Sequence, residues 1–225
     1  MRRLALLLLV AVASADELQT PGEQVQAELS AALGAGDAAR AVPLVAEAGE
    51  IFLHPCTPME ADALLALIGA ASRAEDRAVA TAALHALGRT GAPGAAAHVE
   101  PFLRSVRKGE EKVVIAALEA ADRLGSANLI PNLLDMARDC PDLVVAEQAL
   151  LALGGYARCD RGLRERAFRE SLQVAQLLSK RPQRWQRLQW PTLRALQRLS
   201  GKRLNSVDQF TDWWRHAKSR KNPFS

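Results

Sequence analysis
Aromatic residues make up only 4% of this 225-residue chain, with a single tyrosine. Runs of valine, isoleucine, threonine and tyrosine of the strand-building kind are missing. No Asn-Gly or Asp-Gly pair stands between alternating apolar stretches either. A sheet-based fold is thereby excluded. Three cysteines are too few for a small disulfide scaffold, and in an exported protein an odd number leaves at least one unpaired within the monomer. There is no HExxH helix, no Cys/His set at zinc spacing, no glycine-rich phosphate loop and no Gly-x-Ser-x-Gly elbow. The four histidines are His54, His85, His98 and His216, and His54 with Cys56 supplies at most two metal ligands. Glu47, Glu50, Glu110 and Glu111 lie among other charges and read as a solvated face. No catalytic, cofactor or metal residue is assigned, and the chain is not read as an enzyme.

Long hydrophobic runs are also lacking. The most apolar stretch, residues 4–12, falls far short of the roughly 18 residues that span a bilayer. It follows Arg2 and Arg3 and precedes Ala13, Ser14 and Ala15, the layout of a signal peptide cleaved after Ala15. The expected product is exported, to the periplasm or the medium, and soluble after cleavage.

What the chain does have is alanine and leucine at helical spacing. The hexamer AALHAL at 82–87 recurs as AALEAA at 116–121, QALLAL at 148–153 and PTLRAL at 191–196. The leucines in third place, Leu84, Leu118, Leu150 and Leu193, recur at the period of a two-helix unit. Val79, Val113 and Val145 extend the stripe back by one turn in the first three copies. Gly88 or Gly91, Gly125 and Gly154 follow as helix ends. Partner helices are expected over 58–72, 94–107, 127–139 and 161–180, with Pro58, Pro93 and Pro131 near their starts. Asp76 and Asp142 are the expected caps of second helices. Two further helices, 22–34 and 37–53, form an atypical first unit.

In this parse Cys140 lies in a turn after a first helix, whereas Cys56 and Cys159 lie in turns before one, on the opposite edge. A helix of about 15 residues separates the edges by more than about 20 Å. That is well beyond the roughly 7 Å limit on Cα separation in a disulfide. Cys56 and Cys159 share an edge but stand three repeats apart, so no intrachain bridge is expected.

The segments DRAVATAALHALGRTG at 76–91 and IPNLLDMARDCPDLVVAEQALLALGG at 130–155 resemble HEAT and HEAT-like repeats, and the resemblance covers about 58–200. The fourth unit departs from the pattern, lacking the leading valine and a short first helix. The resemblance implies an all-α fold, an α-α superhelix of about 4 to 5 helical hairpins whose apolar faces are buried only by stacking. Residues 196–218 are similar to a terminal element of exported bacterial HEAT-repeat proteins, in which a Leu-Thr-Gly-like turn precedes a helix ending in paired tryptophans. Here the turn is Leu-Ser-Gly. Gly201 stops one helix, Asn205 or Ser206 caps the next, and Phe210, Trp213 and Trp214 share one face. That helix reads as a lid over the last repeat; the sharper alternative leaves Trp213 or Trp214 exposed as a partner's anchor. The chain thus divides into a signal peptide (1–15), an N-terminal helical unit (16–57), HEAT-like repeats (58–200) and a capping helix with a basic tail (201–225).

Charge is distributed unevenly. Residues 161–225 hold 16 Lys and Arg against 4 Asp and Glu, whereas 16–160 hold 11 against 21. Arg161, Arg164, Arg166, Arg169, Arg184 and Arg187, with Trp185 and Trp190 interleaved, are the candidate binding residues of this basic part, together with Trp213 and Trp214. Lys180 and Arg181 extend it. The expected role is a non-catalytic protein-binding scaffold of the envelope or the medium. An alternative is recognition of an anionic polymer or membrane surface through the basic part, and electrostatic self-association is a further one. The family resemblance also admits a lyase-like activity, since some HEAT-like proteins attach chromophores. Export argues against nucleic acid, the usual partner of a basic face with aromatics.

Overall fold
The computed structural model describes residues 20–52, 57–104, 110–218 and 224. Residues 1–15, expected to be a signal peptide, and His54 and Cys56 lie outside them. Eleven α-helices and no strand occur among the described residues: α1 (Pro21–Gly34), α2 (Ala38–Ile51), α3 (Pro58–Ala71), α4 (Arg77–Thr90), α5 (Ala95–Val99), α6 (Glu111–Leu124), α7 (Ile130–Asp139), α8 (Leu143–Gly155), α9 (Arg161–Leu178), α10 (Pro182–Ser200) and α11 (Val207–Ala217). The first ten pair into five antiparallel hairpins, and each hairpin leans on the next.

Local chemistry explains where the helices begin. Asp76 accepts the amides of Ala78 and Val79, and Asp142 those of Val144 and Val145, as N-caps do. A Thr-Pro-x-Glu box opens both α1, at 20–23, and α3, at 57–60. Glu60 also accepts the Thr20 hydroxyl at 2.6 Å, stitching the first two units together. The hydroxyl and amide bonds from Thr20 and Thr57 hold its carboxyl below the ordinary glutamate value. This recurring box shows that the first unit is built like the second, a period the alanine-leucine hexamer does not reveal.

The even-numbered helices form one layer and the odd-numbered ones the other. Val79, Ala83, Leu84 and Leu87 of α4 are buried, as are their counterparts in α6 and α8. Leu193 of the fourth hexamer is only half-buried, because the face of α10 that carries it has no further helix to pack against. The even layer is held by side chains too small to keep backbones apart. A Cβ on Gly88 would lie 2.8 Å from the Cα of Ala120, one on Gly49 3.2 Å from the Cα of Ala86, and one on Gly154 3.4 Å from the Cα of Ala195. Gly154 is therefore a crossing point inside α8, which runs on to Gly155, and not the helix end expected. Gly91 and Gly125 are true ends, in the left-handed conformation with φ of 61° and 55°. Because the even helices approach closely while the odd ones spread, the stack curves with the even layer inside.

The third unit also departs from expectation. In place of a helix over 94–107, α5 spans five residues and gives way to a 3-10 turn at Glu100–Leu103. Pro101 has no amide hydrogen for the α-helical bond to Ala97. His98 of α5 lies flat on α3 over Gly69, where a Cβ would fall 2.3 Å from its Nδ1. Arg73 approaches that nitrogen to 3.4 Å. Burial and the Arg73 charge push the His98 pKa below its ordinary 6.5.

Beyond α10, α11 packs against α9. Ser206 caps α11 by accepting the Gln209 amide, and Trp213 and Trp214 each bring their ring centroids 5.3 Å from that of Phe168 on α9. Phe210 and Phe224 complete the aromatic cluster.

Two outcomes follow for stability. Gly88→Ala should destabilise the fold by about 1 to 3 kcal/mol despite alanine's better helix propensity, because the added carbon meets backbone. Gly34→Ala, with nothing within 4 Å, should not; chemical denaturation of both variants checks this. Because folding depresses the His98 pKa, its contribution is present above the ordinary histidine value and is lost as pH falls through it. Stability should therefore decline as pH falls below about 6.5, and less so in His98→Gln, when denaturation midpoints are followed against pH.

Candidate functional site
The register of the inner layer places one residue of each unit in line with the next. His85 Nδ1 of α4 lies 3.5 Å from Glu119 of α6, and Arg89 of α4 lies 3.3 Å from Glu50 of α2. Continuing these rows along the repeat, Leu151 and Arg194 follow Glu119, and Thr81, Ile115, Glu147 and Trp190 form the row beside them. Val144 and Arg187 stand one turn further back, side by side along the groove between α8 and α10.

This face changes character along its length. Its early part pairs Glu50 with Arg89 and sets His85 beside Glu119. Its late part exposes apolar surface beside unpaired cations. Val144 is 58% exposed and Trp190 60%. The Arg194 guanidinium stacks over the Trp190 ring at 4.8 Å. Arg187 and Arg198 have no carboxylate partner among the described residues, and Arg198 lies along the groove beside Gly154.

The structure distributes the basic candidates over several places. Arg184 donates to the Ala137 carbonyl at 3.1 Å, and Arg181 reaches the Arg138 carbonyl at 3.3 Å. Arg164 donates to the Leu199 carbonyl and stacks on Phe224 at 4.8 Å. These carbonyls lie in the last turns of α7 and α10, where four C=O groups lack intrahelical partners and the helix dipole favours a cation. Burial lowers the pKa of Arg164 and Arg184, yet a guanidinium stays charged at any working pH. Trp185 is half-buried against the core. On α9, Arg166 pairs with Glu170 at 3.0 Å, Arg169 lies 3.8 Å from the same carboxylate, and Arg161 is exposed at the helix start. Trp213 and Trp214 are half-buried against Phe168 of α9. Of the candidates, Arg187 and Trp190 share the inner face.

Residues 64–154 match the family model of HEAT repeats. The match runs from within α3 to the end of α8 and so covers the middle of the stack, which makes the fold an all-α HEAT-like solenoid. Comparison with curated proteins finds no match. HEAT repeats build helical scaffolds for protein interaction and are generally non-catalytic. In this HEAT-like stack no three of His, Cys, Asp and Glu gather at metal-binding distance among the described residues, and no described helix is long and apolar enough to cross a membrane.

Cys140 and Cys159 are free thiols, and burial raises both pKa values. Tyr156 is fully buried and donates to the Ser126 carbonyl at 2.7 Å; burial pushes its phenol above the ordinary range. These groups serve the HEAT core. Arg194, Arg198 and Val144 escaped the sequence reading, and Trp190 entered it only as part of a basic stretch. The available signal was the residue after the third-place leucine of each hexamer, His85, Glu119, Leu151 and Arg194, which marks the inward-facing row.

The caps on α7 can be tested apart from any partner. Arg184→Ala should lower stability by about 1 to 3 kcal/mol, since it leaves a buried carbonyl without its charged donor. Arg187→Ala, on an exposed side chain, should stay within about 0.5 kcal/mol; urea denaturation monitored by circular dichroism distinguishes the two.

Proposed function
We propose that this chain is an exported, non-catalytic binding scaffold that receives a protein partner on the inner face of its HEAT stack. The observation that carries this reading is the placement of exposed apolar side chains. Four large ones stand out among the described residues, Met59, Val144, Leu177 and Trp190. Single ones need no explanation, but Val144 and Trp190 lie on neighbouring inner helices, beside the groove where partly exposed Leu151 also points. Small residues at the helix crossings bring these surfaces together into one face. The free thiols and buried phenol are fixed in the core, which supports binding over chemistry.

Export rests on the layout of residues 1–15, and it places the partner in the envelope or the medium. The basic residues on α9 support a weaker alternative, adhesion to an anionic polymer or membrane through Arg161, Arg166 and Arg169 on the outer layer.

Photo-crosslinking in the producing cells tests the main reading. A benzoylphenylalanine at Thr81, Ile115 or Leu151 should give discrete protein adducts, whereas one at Asp135 or Gln173 on the outer layer should give none. Adducts from the outer positions alone would overturn it. Retention on heparin or anionic vesicles that disappears when Arg161, Arg166 and Arg169 are changed to glutamate would establish the alternative.

A further inference from the structure
The late part of the inner face has a chemistry of its own. On α10, Arg187, Trp190, Arg194 and Arg198 follow one another within one arc of the helix, opposite the side that packs on α9. At about 1.5 Å per residue, the row from Arg187 to Arg198 is about 16 Å long, the reach of roughly five extended residues. Arg194 and Arg198 stand about 6 Å apart along the axis, close to the roughly 6.8 Å between same-side residues of an extended chain. Glu147 is the carboxylate that borders this row, beside Arg187 in the groove. Val144 lines the same groove and Trp190 stands one turn along α10 from Arg187, both more exposed than covered.

Several arginines elsewhere in the molecule are held by carboxylates or carbonyls. Arg158 binds the Asp122 carbonyl and carboxylate, at 2.8 and 3.1 Å, and Arg89 binds Glu50. Arg138 holds Asp135 and Asp139, both at 2.6 Å. Arg187 and Arg198 differ in having no such partner, and Arg194 is spread over an indole. A guanidinium stacked on an aromatic face keeps its in-plane N–H donors directed outward, ready for bidentate bonds to a carboxylate.

Resting on the scaffold reading above, we infer that the inner face of α8 and α10 docks a short acidic peptide segment of the partner. Two or more of its carboxylates pair with Arg187, Arg194 and Arg198, and one apolar side chain rests on Trp190 and Val144. Charge complementarity selects this occupant. A basic or neutral apolar segment leaves three arginines unpaired, and a lipid or polysaccharide surface is too broad for a row set inside a curved stack. Tryptophan and arginine at the centre of a contact are also the residues that carry most of its energy.

The test uses the purified full-length chain and fluorescein-labelled twelve-residue peptides, one carrying four glutamates around a single phenylalanine, the other lysines in their place. Fluorescence anisotropy at low salt should show binding of the acidic peptide and not the basic one, weakening as salt rises. Trp190→Ala and the Arg187→Glu/Arg194→Glu pair should each weaken it about tenfold or more, while Arg161→Glu/Arg169→Glu should leave it unchanged. All these side chains are exposed or partly so, and unchanged circular dichroism spectra confirm the fold. No binding, equal binding of both peptides, or acidic binding insensitive to the α10 changes overturns the inference. So does a self-associated state in sedimentation equilibrium that Arg194→Glu dissolves, which would make a second copy the occupant. Adducts at Thr81 or Ile115 without acidic-peptide binding would leave the scaffold standing and remove only this site.

Discussion

The fold depends on helices of the inner layer touching almost backbone to backbone. Gly49 against Ala86, Gly88 against Ala120 and Gly154 against Ala195 are three instances of one crossing, repeated along the stack. Between α6 and α8 the same economy of volume recurs, since a side chain on Gly155 would occupy the place of the Asp122 carboxylate. These contacts draw the even helices close and let the odd ones diverge, and from that difference the curvature arises. They also fix the register in which His85 meets Glu119. A surface made of one residue from each unit can exist only because that register is maintained from α2 to α10.

Charge is organised by the same geometry. Counted along the sequence, the last 65 residues carry a large excess of cations, which suggests a broad basic surface. In the fold, Arg164, Arg181 and Arg184 terminate helices, Arg166 is held by Glu170, and Arg215 by Asp212. The electrostatic field that remains is narrower than the composition implies. It includes the start of α9 on the outer side and the row on α10 on the inner side.

Much of the architecture was legible because burial imposes a period. Leu84, Leu118 and Leu150, with the alanines around them, have to lie on one stripe, and the caps at Asp76, Asp142 and Ser206 stand where their side chains can meet amides. Legibility ended where packing overrides local rules. Pro191 opens the fourth hexamer, but α10 begins at Pro182 and carries Pro191 buried in its interior, because packing on α8 and α9 sustains the helix through the missing bond. Gly154 reads as a stop and is a crossing. The binding surface was hardest to see, since exposed positions carry no periodic constraint. Trp190 and Arg194 stood among many arginines until the repeat register separated inward-facing residues from those capping helices.

The two ends of the stack differ. At the first unit the outward sides of α1 and α2 carry Glu23, Gln24, Ser30, Arg40 and Glu47, all exposed, whereas the last unit ends in the cluster of Phe168, Phe210, Trp213, Trp214 and Phe224. Those rings occupy the side of α9 on which α11 packs, so a further hairpin stacked there would have to displace them. Duplication of an interior hairpin avoids that displacement. A duplicated middle hairpin would move the arginine row of α10 away from the acidic first units by one step and leave its chemistry intact.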